Sequence, residues 1–242
     1  MTEFIFQTTP YEHQLEALEG SAEAADYALL MDMGTGKTKV CIDTIVHNFR
    51  QKRINFALIV APKGVIANWT GEIKTHTPEE VIRSVVLWKP SLTKTHRAEL
   101  LALSKETDEL KFLLMNVEAF STKKGVDVAE FFVQKFKVFM VVDESTTIKN
   151  RQAKRTKSIC TVGREAVMKR ILTGSPVTKS PMDLFSQMDF LNPKILGFKS
   201  YYAFQGRYAV VQRRTMGAHS FNHIVGFQRL DELTGLLQDH SY

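Results

Sequence analysis

Cysteine is scarce. Cys41 and Cys160 are the only two in 242 residues; they lie far apart in apolar surroundings, and no spacing suggests a disulfide framework or a zinc site. A reducing compartment is the expected setting, the cytoplasm or, in a eukaryote, the nucleus. Long hydrophobic runs are lacking too. No stretch approaches the roughly 20 apolar residues of a membrane span, and the N-terminal MTEFIFQTTPYEHQ has no basic segment followed by a long apolar one, so neither membrane insertion nor export is expected. The seven histidines are scattered and form no ligand triad, so no structural metal is expected. Repeats, low-complexity tracts and flexible linkers are also missing. What is there is an ordinary globular composition, with 44% apolar residues to fill a core. Lys and Arg number 32 against 26 Asp and Glu, and the net charge of +6 modestly favours anionic partners such as nucleic acid.

Short apolar runs recur along the chain: YALLM at 27–31, FALIVA at 56–61, SVVLW at 84–88, KFLLM at 111–115, VFMVV at 138–142 and RILT at 170–173. Each reads as a strand buried on both faces. Segments with helical spacing lie between them, such as 38–50, 65–76 and 151–164. The alternation predicts an α/β fold with a doubly wound, mostly parallel sheet, whose ligands sit beyond the carboxyl ends of the strands. After Pro193 the alternation fades. A hairpin around Met216 and Gly217 and a short helix over 231–238 are expected there, which divides the chain into a domain over 1–193 and a C-terminal appendage over 194–242.

The segment YALLMDMGTGKTKVCIDTI is a buried strand, a glycine turn and an amphipathic helix in succession, the context a phosphate-binding loop requires. Met33-Gly34-Thr35-Gly36-Lys37-Thr38 is the expected cradle. The glycines let backbone N–H groups turn toward a polyphosphate, and the positive end of the following helix stabilises its charge. Lys37 then reaches the β and γ phosphates of ATP and the Thr38 hydroxyl reaches Mg²⁺. Met31 stands where the strict phosphate-loop pattern has a further glycine. After VFMVV come Asp143 and Glu144, two carboxylates just past a buried strand. Their expected roles are those of a nucleoside triphosphatase, with Asp143 holding Mg²⁺ and Glu144 polarising the attacking water.

Taken in order, these segments resemble the superfamily-two helicase-like ATPases, and among them the Swi/Snf-type DNA translocases, from about Pro10 to Pro193. PYEHQLEAL resembles the adenine-recognition motif, DMGTGKTK motif I, APKGVIANWTGEI motif Ia, LLMNVEAF motif Ib, DESTTIKN motif II with its Ile148-Lys149-Asn150 ending, and LTGSPVTKSPMDLFSQMDFLNP motif III with the helix after it. The resemblance implies a RecA-like lobe that uses ATP and Mg²⁺, with Gln14 reading the adenine. It also implies coupling of hydrolysis to nucleic acid through Thr146, Thr173 and Ser175. Thr146 stands where many relatives have histidine, and its hydroxyl is expected to hydrogen-bond toward the Thr173–Ser175 loop. Double-stranded DNA is the implied partner, with Lys63, Asn68, Asn116 and Lys149 as candidate contacts. Family members continue into a second RecA-like lobe carrying arginines that complete the ATP site. Nothing after Pro193 resembles it, so this chain is expected to be one lobe of a two-lobed motor, binding nucleotide with little turnover alone. The motor of a restriction or repair nuclease, an RNA helicase and a non-hydrolysing ATP- or DNA-binding module are the competing readings.

Between Lys149 and Arg170 inclusive, eight basic residues stand against one acidic residue, Glu165. By spacing, Arg151, Lys154 and Arg155 share one helical face; a phosphate-tracking surface and a solvated helix explain them equally well. Trp69 reads as a packing residue rather than a base-stacking one, and the aromatic residues from Phe198 to Tyr208 read as the core of the appendage.

Overall fold

Each of the six apolar runs becomes a strand in the computed structural model, which describes residues 4–216 and 219–242. The strands are β1 (Asp26–Leu29), β2 (Phe56–Ala61), β3 (Arg83–Leu87), β4 (Leu110–Asn116), β5 (Val138–Asp143) and β6 (Met168–Leu172). They pair parallel throughout, in the order β1-β6-β5-β2-β4-β3. The central strands β2 and β5 are buried along their whole length, as continuous Val, Ile, Leu and Phe runs require when helices cover both faces. SVVLW departs from that expectation. Most of β3 is only half-buried, because it lies at the sheet edge and pairs with β4 alone.

Successive residues of β2 feed opposite faces. Leu58 and Val60 join one core cluster, and Ala57, Ile59 and Ala61 the other. Helices α1 (Glu12–Ser21), α2 (Lys37–Arg50) and α3 (Lys63–His76) cover the second face with Ala17, Val40 and Trp69. Helix α4 (Lys94–Leu103) lies between β3 and β4, while α5 (Lys123–Lys135), α6 (Lys154–Gly163) and α7 (Leu184–Leu191) cover the first with Phe132, Ile159 and Met188. Full burial of each such aliphatic or aromatic side chain stabilises the fold by about 1.5–3 kcal/mol. Because α6 begins only at Lys154, Arg151 lies in the preceding turn and not on the helical face its spacing suggested.

A cation on β6 is wholly interior. The Arg170 side chain on β6 has no solvent exposure, donates to the carbonyls of Ser21 (2.7 Å), Ala24 (2.8 Å), Ala25 (3.1 Å) and Lys169 (2.7 Å), and lies over the Phe139 ring. Burial brings its pKa down to about 10, which leaves it charged at neutral pH. It sits at the carboxyl end of α1, where a cation is favoured, and so fixes the helix that carries Gln14.

Beyond α7 the chain forms α8 (Pro193–Leu196), α9 (Tyr201–Tyr208), the antiparallel pair β7 (Ala209–Met216) and β8 (His219–Phe227), and α10 (Leu230–Gln238). The turn expected at Gly217 lies outside the described residues. Phe204, Tyr208 and Leu233 continue the core formed by Leu58 and Met188. The last residues run beside β1: Ala28 N–H donates to the His240 carbonyl (2.8 Å) and Tyr242 N–H to the Ala28 carbonyl (3.0 Å). Among the described residues no helix is long and apolar enough to cross a membrane.

Candidate functional site

The carboxyl ends of β1 and β5 and the amino end of α2 meet at one cavity of about 420 Å³, lined by Met33, Gly34, Gly36, Lys37, Thr38, Val65, Asn68, Trp69, Glu72, Asp143 and Glu144. Gly34 and Gly36 hold φ values of +81° and +87°, a left-handed backbone that side chains disfavour by about 1–2 kcal/mol. This geometry turns the chain sharply into α2, whose first N–H groups have no helical acceptor. Lys37 folds across the loop and donates to the carbonyls of Met31 and Asp32, both at 2.9 Å. An anion at this helix end meets an ammonium, free N–H donors and a hydroxyl together.

Gln14 is buried against the same loop. Its amide nitrogen donates to the Thr35 carbonyl (2.9 Å) and its oxygen accepts from Tyr11 N–H (3.0 Å), while His13 Nε2 also lies 2.9 Å from the Thr35 carbonyl. A Cβ on Gly36 would overlap the Gln14 amide. The glutamine thus braces the loop, with one amide proton and one oxygen lone pair left for another partner.

The two acids differ in their surroundings. Asp143 ends β5 with 5% of its surface exposed, and both of its oxygens are held: Oδ1 accepts the Glu144 backbone N–H and Oδ2 the Trp69 indole N–H, each at 2.9 Å. Burial raises its pKa, and the Trp69 bond opposes that rise. Glu144 is raised by burial and then by the charge of Asp143. Its φ of +47° is a strained conformation of the kind found at functional sites. The Trp69 contact is a role that motif position did not reveal. Val65, Asn68, Trp69 and Glu72 recur at helical spacing on one face of α3 and all line the cavity, a periodicity visible in the sequence. The Glu72 carboxylate in turn accepts from His76 Nε2 (3.2 Å), whose Nδ1 contacts the Thr8 hydroxyl (2.6 Å). Asn68 therefore lies with the phosphate-loop residues.

A second cavity adjoins the first, lined by Asp32, Met33, Glu144, Thr146, Thr173, Gly174, Ser175 and Thr178. It brings the three residues expected to couple the site beside Glu144. The expected bond from the Thr146 hydroxyl to the Thr173–Ser175 loop is not formed among the described residues. The loop closes on itself, Ser175 N–H donating to Thr173 Oγ1 (3.2 Å). The bridge between the two segments comes instead from Ser145, whose hydroxyl donates to Gln187 Oε1 (2.6 Å), and from Gln187 Nε2, which donates to the Pro176 carbonyl (2.7 Å). Ser145 faces inward because it follows the strained Glu144 and is fully buried, whereas Thr146 looks toward the open cavity.

Of the residues expected to meet nucleic acid, Lys63 is exposed at the start of α3. Asn116 ends β4 beside Ala61, the end of β2, and its oxygen caps the turn after it by accepting Ala119 N–H (2.8 Å). Lys149 donates to the Thr178 hydroxyl. Arg151 stacks on Tyr201 and Tyr202, 4.2 and 5.3 Å from their ring centres. Among the described residues no group of three or more His, Cys, Asp or Glu side chains is placed to hold a metal ion.

Comparison with known proteins bears on the family and the fold. The model of the SNF2-related domain matches residues 20–226. An uncharacterised ATP-dependent helicase of Mycoplasma pneumoniae is 28% identical over 175 residues, 72% of this chain and 15% of that protein. The DNA annealing helicase and endonuclease ZRANB3 of Homo sapiens is 31% identical over 208 residues, 86% of this chain and 18% of that protein. The chain thus spans less than a fifth of the length of these curated relatives. In three dimensions it is similar to the Sulfolobus solfataricus SWI2/SNF2 ATPase core in complex with dsDNA, with a TM-score of 0.72 and 20% identity, covering 100% of this chain and 46% of that one. At that identity the likeness speaks for the fold: a RecA-like lobe of six parallel strands.

Proposed function

The chain belongs to the SNF2-related domain family, and on that premise we propose that it is the nucleotide-binding lobe of a motor that hydrolyses ATP while moving along duplex DNA. The observation that carries this reading is the single cavity that gathers Lys37, Thr38, Asp143 and Glu144 at the amino end of α2. That donor set fits a polyphosphate accompanied by a divalent cation: an ammonium and helix-end N–H groups for phosphate oxygens, a hydroxyl and a carboxylate for the metal. Mg²⁺, when bound, neutralises charge on the phosphates. Thr38 and Asp143 would hold it, Lys37 would exchange the Met31 and Asp32 carbonyls for phosphate oxygens, and Glu144 would orient and deprotonate the attacking water. Met33 to Gly36 form the cradle, and the free donor and acceptor of Gln14 face the adenine.

Lys63, Asn116 and Lys149 are the proposed backbone contacts to DNA, at the ends of neighbouring strands. Asn68 sits with the nucleotide residues and serves that cavity. Thr146, Thr173 and Ser175 share a cavity with Glu144 and are proposed to transmit DNA contact to it, with Ser145 and Gln187 as the connecting bridge.

Lys37 is the only cation among the described residues that line either cavity. A second lobe supplying arginines would complete the charge around the transferred phosphate, a contribution of about 10³ to 10⁵ in rate. The test is binding of a fluorescent ATP analogue with Mg²⁺ to this chain and to Lys37→Ala, alongside ATPase assays with and without duplex DNA. Binding that is lost in the variant, with scant turnover, is expected. Equal binding by the variant would refute the assignment of the loop, and strong DNA-stimulated turnover by this chain alone would refute the need for a second lobe.

A further inference from the structure

The hairpin β7–β8 forms a two-stranded sheet of its own, apart from the six-stranded one, so among the described residues each strand has an edge that no other strand covers. Val210 to Thr215 are all exposed. From Tyr208 to Leu230 the chain contains no Asp or Glu, and the hairpin carries Arg213 and Arg214 side by side on β7. Adjacent residues of a strand point to opposite faces, so one guanidinium stands on each side of the ribbon. The register agrees, with Thr215 Oγ1 3.1 Å from Ser220 Oγ across the strands.

The arm is anchored rather than loose. At its root Tyr208 is fully buried and its hydroxyl donates to Glu232 (3.0 Å), Arg207 pairs with both oxygens of Glu232, and Gln228 N–H donates to the Tyr208 carbonyl (2.9 Å). Helix α9, from which it springs, packs through Tyr201 on Arg151, two residues beyond Lys149.

We infer that this hairpin is an arm that enters the major groove of duplex DNA, an inference that rests on the duplex reading above. The groove of B-form DNA, about 12 Å wide, admits a two-stranded β-ribbon. At about 3.4 Å per residue the ribbon is long enough to cross it. A cation on each face then meets a phosphate wall on each side, an arrangement that binding to a flat surface would waste, and the exposed Val211 and Val225 lie where sugars and base methyl groups pass. An added protein strand would use the uncovered edges but has no use for opposed arginines.

The test is fluorescence anisotropy of the 242-residue chain on a labelled DNA duplex across a salt series, comparing it with Arg213→Ala, Arg214→Ala and the double substitution. Both side chains are exposed, so the melting temperature and nucleotide binding should not change. Each phosphate contact contributes about 0.9 to the slope of log K against log salt, which is about fivefold in affinity near 0.15 M; the double variant should lose about 30-fold and about 1.8 of slope. Unchanged affinity and slope overturn the arm. An effect confined to one arginine overturns the groove placement, as does an equal loss on duplex RNA, whose major groove is too narrow to enter. If the unsubstituted chain ignores duplex DNA, the duplex reading itself fails and takes the arm with it.

Discussion

Replacing Trp69 with Phe removes one N–H from the site while keeping an aromatic ring in the core. The bond it deletes runs from the indole to Asp143 Oδ2 at 2.9 Å, between residues 1% and 5% exposed. A hydrogen bond to a charged group contributes about 1.5–3 kcal/mol, and the space left by the smaller ring costs about 1 kcal/mol more. At roughly 2–4 °C per kcal/mol for a chain of this size, the melting temperature should fall by about 5–15 °C near pH 8. Packing and hydrogen bonding separate by pH. Burial raises the pKa of Asp143 and the Trp69 bond holds it down, so the substitution raises it further. The bond therefore stabilises the fold where Asp143 is ionised, and that part is lost as acid protonates the carboxyl on the way to its ordinary value of 3.8; the packing part is not. Thermal melts from pH 8 to pH 4.5, with a double-mutant cycle against Asp143→Ala, measure both. A gap between wild type and variant that stays constant with pH, or a coupling below about 0.5 kcal/mol, would refute the reasoning.

Arg170→Met should lower the melting temperature by about 10 °C in a calorimetric scan: four carbonyls lose a shared donor, those of Ser21 and Ala25 keep a backbone N–H, and each buried acceptor left unpaired costs about 1–3 kcal/mol before any relaxation. Gly36→Ala should weaken binding of the fluorescent ATP analogue more than Gly34→Ala does: both carry the conformational cost of about 1–2 kcal/mol at a positive φ, but a Cβ at Gly36 also displaces the Gln14 amide, whereas Gly34 has open space around it. Glu144→Gln should raise the melting temperature at pH 7–8 and lose that advantage toward pH 4: burial and Asp143 raise the Glu144 pKa, so the ionised form destabilises the fold above that pKa, and below the ordinary value of 4.5 the wild type is protonated in both states. A pH-independent difference would contradict this.

The residues legible in the sequence are those that act beside their chain neighbours. Gly34, Gly36, Lys37 and Thr38 belong to one turn between a strand and a helix, and Asp143 and Glu144 to one strand end; pattern and context sufficed for them. The six strands were legible for the same reason, as continuous apolar runs, although a run does not tell whether its strand is central or at an edge, and β3 is the case where that mattered. What was hidden joins segments distant along the chain. The indole that holds Asp143 lies 74 positions before it, Gln187 lies 42 after the Ser145 it bridges, and Ser21 is 149 away from the Arg170 that caps its helix. Side-chain chemistry limited the reading as well. Thr146 was assigned the coupling bond by its hydroxyl and its place in the motif, but the left-handed backbone at Glu144 turns the next residue inward, and Ser145 takes the partner. The polar stripe of α3 is the exception. Val65, Asn68, Trp69 and Glu72 share a face by spacing alone; of the four only Trp69 is buried, and a buried polar group requires a partner. That requirement, applied to the Trp69 indole, calls for an acceptor, which Asp143 supplies.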